Sequence, residues 1–260
     1  MTNGKIALVC AASQGLGKAA ARALARDGAS VAICSRRPDA IEAAAAELRR
    51  DTGADVAAFE ADLSRADDPA RVVQQTVDRF GGLDVLVTNT GGPRSAPFEA
   101  LTDRDWYDAV DSLLMSVVRL CRAAVPHMRA RGGGRIINIT SVAVKQPVEG
   151  LMLSNAVRSA IVGLSKTLAS ELARERILVN CVAPGFTRTE RVAELTAATA
   201  AREGVTAAAV EQRLVKQIPM GRLGEPGELA NVVAFLASEG GDYVTGSTIP
   251  VDGGFLRGVF

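Results

Sequence analysis

The chain has 260 residues, 48% of them hydrophobic and 23% charged, which is too apolar for a disordered polymer and long enough for one large α/β domain. Thirty Lys plus Arg against 29 Asp plus Glu leave a net charge of +1, so no strong field exists to hold a nucleic acid or an anionic membrane, and neither is expected as a partner. With one His, two Tyr and four Cys in the whole chain, a clustered metal site is not expected either.

Short apolar runs alternate with longer helical patterns in chain order. KIALVC (5–10) precedes a helix with Leu16, Ala19, Ala20, Ala23 and Leu24 on one face, the spacing of an amphipathic stripe. SVAIC (30–34) is followed by an Ala- and Glu-rich helix to about Arg50, and DVAAFEA (55–61) by one ending near Phe80. LDVLV (83–87) leads into a long helix from about Thr102 to Ala130. RIINIT (135–140), a helix from about Leu151 to Arg174, ILVNCVA (177–183), a helix from about Glu225 to Ala237 and STIPV (247–251) complete the series.

Nearly continuous apolar strands separated by helices predict a parallel sheet covered on both faces, a single-domain, doubly wound Rossmann-like α/β fold over residues 1–260. An Ala-rich helical insert at about 190–218, containing Gly204, interrupts the rhythm. It follows a strand's C-terminal end, where it reads either as a substrate lid or as extra surface helix. Cys10, Cys34, Cys121 and Cys181 form no C-x-x-C pair, and the first two end apolar runs as small buried residues do. The apolar run Ile6 to Ala12 has no cleavage site, and no run reaches the roughly 18 residues of a membrane span. A soluble, cytoplasmic protein is expected.

After the first strand comes Cys10-Ala11-Ala12-Ser13-Gln14-Gly15-Leu16-Gly17, directly opening a helix. Small residues let backbone approach a pyrophosphate, and a helix N-terminus offers N–H donors, so Ala11, Ser13, Gly15, Leu16 and Gly17 read as a dinucleotide turn. At the end of the second strand, Ser35-Arg36-Arg37 stands where an acidic residue would grip a ribose 2′-hydroxyl. Room and positive charge there favour NADP(H) over NAD(H).

At this point the chain resembles the short-chain dehydrogenase/reductase family, and within it the 3-oxoacyl-ACP reductases. The dinucleotide turn resembles that family's T-G-x-x-x-G-x-G, and Asp62-Leu63 its adenine-contacting Asp. Asn89-Thr90-Gly91-Gly92 resembles its N-A-G, and Val251-Asp252-Gly253-Gly254 its C-terminal signature. Pro184-Gly185-Phe186-Thr187-Arg188-Thr189 resembles its P-G-x-x-x-T, whose backbone and final Thr hold the nicotinamide end. The resemblance implies a homo-oligomer, dimer or tetramer, with the helices 102–130 and 151–174 pairing across a two-fold axis. Leu113, Val117, Leu120, Leu164, Leu168 and Leu172 suit that pairing and suit packing on the sheet equally well.

Two departures stand out. Ala11 replaces the family's first glycine, which is tolerable if its φ stays negative. Of the catalytic Asn, Ser, Tyr and Lys, only the Ser survives, as Ser141; the register puts Ser154 at the Tyr, Arg158 at the Lys and Leu113 at the Asn. A serine hydroxyl is a far weaker acid than a phenol. Arg158 can bond ribose hydroxyls and an oxyanion but gives up no proton, and Leu113 holds no water. Neither Tyr107, Tyr243 nor His127 falls near the site by register. Lys145, on the loop after Ser141, is the candidate electrophile, and Arg94, in GGPRS (91–95), could meet an anionic substrate.

Two functions stay open. One is an NADP(H)-dependent reductase using Ser141, Ser154 and Arg158 on a small carbonyl or an activated alkene; some dienoyl-thioester reductases of the wider family also lack the Tyr. The other is a catalytically inactive NADP(H)-binding sensor or partner subunit.

Overall fold

The computed structural model describes residues 1–259. Seven strands form one sheet in the order β3-β2-β1-β4-β5-β6-β7. They are β1 (Ile6–Cys10), β2 (Ser30–Ser35), β3 (Val56–Glu60), β4 (Val85–Thr88), β5 (Gly134–Ile139), β6 (Ile177–Pro184) and β7 (Thr248–Val251), and every pairing is parallel. Each connection therefore crosses a face of the sheet, and both faces are covered as the apolar strands predict. Strand order reverses between β1 and β4. In such sheets that reversal opens a crevice outside the strands' C-terminal ends.

Side chains alternate between two core layers. Ala7, Val9, Val31, Ile33 and Val87 face α1 (Gly15–Arg26), α2 (Pro38–Thr52) and α9 (Pro226–Ala237). Leu8, Cys10, Ala32, Leu86 and Ile136 face α3 (Asp68–Phe80), α5 (Ser116–Ala130) and α6 (Met152–Leu172). The chain stops its helices by local chemistry: α2 begins with Pro38 and ends at Gly53 in the left-handed region, while α9 begins with Pro226 and a Glu225–Glu228 capping box. On α1 the buried set is Gly17, Ala20, Ala21, Leu24 and Ala25, so the stripe lies one residue round from the expected face and Ala19 and Ala23 are only half-buried.

The long helix expected over 102–130 is three segments of one rod: α4 (Asp103–Ala109), a π-helical stretch at Val110–Met115 and α5. The Ser112 hydroxyl bonds back to the Asp108 carbonyl at 2.7 Å and Ser116 to the Ser112 carbonyl at 2.7 Å, chemistry that helical periodicity alone does not register. The insert resolves into two helices, α7 (Glu190–Glu203) and α8 (Ala207–Gln217), broken at Gly204 with φ +67°. Val117, Leu120 and Leu172 are buried within this one chain and Leu164 and Leu168 pack against the same core, so these positions serve the sheet side of their helices, while Leu113 is buried in a separate small cluster with Leu153 and Val157.

All four cysteines are buried. Cys10 and Cys34 are cross-strand neighbours; a hydrogen bond to Cys34, then burial, holds the Cys10 thiol far above its ordinary value, and burial pushes Cys121 up to about 12. These are inert packing residues. Among the described residues no helix is long and apolar enough to cross a membrane.

Candidate active site

A cleft of about 1060 Å³ opens over the C-terminal ends of β1, β4, β5 and β6, and four of the five motifs meet in it, Val251-Asp252-Gly253-Gly254 lying outside. Its walls carry Ala11, Ser13, Gly15, Leu16, Ser35, Arg36, Arg37, Asp62, Leu63, Asn89, Thr90 and Gly91 towards one end, and Ser141, Ser154, Arg158, Pro184, Gly185, Thr187 and Thr189 towards the other. Among the expected cofactor residues only Gly17 stays off the wall. It lies beneath, where a Cβ would come within 2.5 Å of the Ala11 carbonyl oxygen and 2.9 Å of Asn89 Nδ2.

Ala11 corrects its expectation. Its φ is +46°, inside the left-handed region, not negative. The turn from β1 into α1 demands that conformation: the Ala12 N–H donates to the Cys34 carbonyl at 3.1 Å and the Asn89 amide donates to the Ala11 carbonyl at 3.3 Å. With a methyl as its only side chain, alanine bears this at about 1–2 kcal/mol.

Helix α1 starts at Gln14 with no side-chain cap and no acidic residue in its first turn, so its leading N–H groups point into the cleft unsatisfied by the helix itself. Glu190, the first residue of α7, brings Oε2 within 3.5 Å of the point a Gly15 Cβ would occupy, so a carboxylate already lies beside this positive helix end. Glycines that admit close approach and free donors fit a diphosphate. Exposed Arg36 and Arg37 on the same wall fit a further phosphate.

At the other end, Ser154 and Arg158 stand one turn apart on α6, 6% and 7% exposed, as the register requires. Ser141 leaves β5 in extended conformation, and its Oγ accepts the Ala143 N–H at 3.1 Å, which fixes its rotamer towards the cleft. Arg158 donates only to backbone carbonyls, Ile139 at 3.3 Å and Gly91 at 3.5 Å. Burial, then the neighbouring charge of Arg191, lowers its pKa to about 10, so it is still cationic at neutral pH.

Neither expected substrate residue lines the cleft. Arg94 is exposed and ion-paired to Asp105 at 2.8 Å, drawn off by the Thr102–Asp105 cap of α4. Lys145 is exposed on a short 3₁₀ turn whose Val142 faces inward in its place. Leu113 is fully buried with Leu153 and Val157, while its neighbour Ser112 reaches the wall. Tyr107 and Tyr243 are exposed, and neither they nor His127 line the cleft. Sequence reasoning missed Gln14, Ser112, Glu190, Arg191 and Glu194 on the walls. Thr189 caps α7 by accepting the Val192 N–H, and a helix starting on a motif's last residue turns its first residues to the same cleft; that was the available signal.

A family model described as Enoyl-(Acyl carrier protein) reductase matches residues 10–256. The chain is 36% identical over 251 residues to the rabbit (Oryctolagus cuniculus) dehydrogenase/reductase SDR family member 4, covering 96% of this chain and 93% of that one. It is 36% identical over 253 residues to 3-oxoacyl-[acyl-carrier-protein] reductase of Staphylococcus aureus, covering 96% and 97%. The solved L-sorbose reductase of Gluconobacter frateurii, complexed with NADPH and L-sorbose, superposes with a TM-score of 0.94 at 34% identity over 99% of this chain and 98% of that one. The chain belongs to the short-chain dehydrogenase/reductase family and is an oxidoreductase of that type.

Proposed function

We propose that this chain is an NADP(H)-dependent reductase of a small carbonyl compound or an activated alkene, working through a site without the family's Tyr and Lys. The observation that carries this reading is convergence: the phosphate-fitting turn and Ser141, Ser154 and Arg158 line one continuous cleft. The NADPH held by the solved sorbose reductase supports the choice of cofactor, as do Arg36 and Arg37.

NADPH, when bound, supplies the hydride. The α1 donors would hold its diphosphate, Arg36 and Arg37 its 2′-phosphate, and Gly185, Thr187 and Thr189 its nicotinamide end. Ser141 and Ser154 donate hydrogen bonds to the substrate oxygen, and Arg158 stabilises negative charge developing there. No phenol, imidazole, thiol or ammonium lines the cleft among the described residues, and its carboxyl groups lie against Ser64, Gly15 and Arg191, so the proton is drawn from water. Without a general acid, hydride addition to a carbonyl generates a localised, strongly basic alkoxide, whereas addition to an activated alkene generates a delocalised, less basic enolate, so the site is best matched to an activated alkene.

The test is an NADPH titration followed by a rate screen over carbonyl and enoyl substrates. The expected result is NADPH binding tighter than NADH and oxidation by part of the panel. Tight binding with no oxidation anywhere would overturn the enzyme in favour of the inactive sensor or partner subunit. Ser154→Tyr combined with Arg158→Lys is expected to raise carbonyl reduction by about 10²-fold; an unchanged rate would show that the geometry is not reductase-like. We also propose a homo-oligomer, to be sized by light scattering, and a cytoplasmic location, which suits four unpaired thiols. Helices α7 and α8 are proposed as the substrate lid, since Glu190, Arg191 and Glu194 of α7 line the cleft.

A further inference from the structure

We propose that the substrate carries a carboxylate next to its reducible bond, held between the guanidinium groups of Arg158 and Arg191. This rests on the reductase reading for its chemistry, though not for the binding itself.

Arg158 is 7% exposed and aimed into the cleft from α6, and both of its hydrogen bonds are long ones to neutral carbonyls. A guanidinium buried without a counter-ion is costly, and the cost is relieved when an anion arrives. A second guanidinium stands against the same short loop. Arg191, on the wall from α7, donates to the Pro93 carbonyl at 3.0 Å, and its Nε lies 2.6 Å from the place a Gly92 Cβ would take. Gly91, Gly92 and Pro93 thus separate two cations, one bonded to the carbonyl of Gly91 and the other to that of Pro93.

The acidic groups of the cleft are turned to other work. Asp62 accepts the Ser64 N–H and hydroxyl, and Glu190 lies beside Gly15. Glu194 approaches Arg191 at 3.7 Å from an exposed position and leaves Arg158 without an anion. The nicotinamide ribose offers Arg158 only neutral hydroxyls, so the missing negative charge falls to the substrate. A planar carboxylate matches the fork of each guanidinium. In the reaction the substrate's double bond takes a hydride from NADPH, which leaves as NADP⁺, and a proton from water.

The experiment titrates crotonate and pyruvate, each against its neutral counterpart, crotonamide or methyl pyruvate, into the protein with and without NADP⁺. The carboxylates are expected to bind at least about tenfold tighter than the neutral compounds, and Arg191→Gln and Arg158→Met to remove that preference. Arg158→Lys, which keeps the charge, is expected to restore part of it. Equal binding of acid and neutral forms, or a preference that survives both charge-removing variants, overturns the proposal. If NADPH fails to bind while the arginine-dependent preference persists, the reductase reading falls and the anion site stands. If NADPH binds and the preference is absent, the reverse holds.

Discussion

The carbonyl oxygen of Ala11 lies 2.5 Å from where a Cβ on Gly17 would stand. The strained residue and the glycine form one device: Ala11 at φ +46° points its carbonyl at α1, and only a glycine leaves room for it. Gly17→Ala is expected to destabilise the protein by about 2–3 kcal/mol and to abolish NADPH binding. Ala11→Gly is expected to stabilise it by about 1 kcal/mol while binding is retained. Thermal unfolding and a fluorescence titration of both variants check the pair; a neutral Gly17→Ala would contradict the packing.

Glu190 places a carboxylate beside the turn that fits a diphosphate, so the two compete for the same positive helix end. Glu190→Gln is expected to tighten NADPH binding by about three- to tenfold, most at low ionic strength. Titrations at two salt concentrations read this directly, and weaker binding in the variant would mean that Glu190 helps to hold the cofactor.

Leu113→Asn would put an amide in a place that is fully apolar. The new side chain meets Leu153 and Val157 with no polar partner, so a loss of about 3 kcal/mol is expected and no gain in rate. Denaturant midpoints and the carbonyl screen test it together. A rate gain would show that an ordered water can re-enter there.

The cap of α9 predicts an acid-sensitive wall. A bidentate ion pair with Arg222, with help from the Glu225 N–H, pulls Glu228 from its ordinary 4.5 down to about 2. A depressed carboxyl contributes its stability above pH 4.5 and loses it as pH falls towards 2. The difference in Tm between the wild type and Glu228→Gln should therefore be largest near neutrality and shrink through that window. The adjoining loop should loosen with it, because Gly224 bridges Thr187 and its carbonyl accepts the Arg188 N–H at 2.8 Å.

The strands and the helices between them were legible because apolar runs and amphipathic spacing are written in local sequence. The residues of the cleft wall were legible for the same reason, since they follow strands directly. Arg94 and Lys145 stand off the cleft because a loop's sequence says nothing of which side chain turns outward; an ion pair to Asp105 holds the first, and Val142 faces inward beside the second. Arg191 escaped notice because its role depends on where α7 lies relative to the loop after β4, a contact 98 residues apart in the chain. The sign of φ at Ala11 likewise belongs to the turn as a whole, held by Cys34 and Asn89.

The π-helical stretch at Val110–Met115 has an evolutionary consequence. Leu113, within it, packs in a small cluster with Ala109, Leu153 and Val157, while Val117 and Leu120, beyond it, pack in the layer beneath the sheet, and Leu114 touches both. Changes in separate groups tend to add without compounding. Substitutions at Ala109, Leu113, Leu153 or Val157 can therefore accumulate while the layer beneath the sheet keeps its shape.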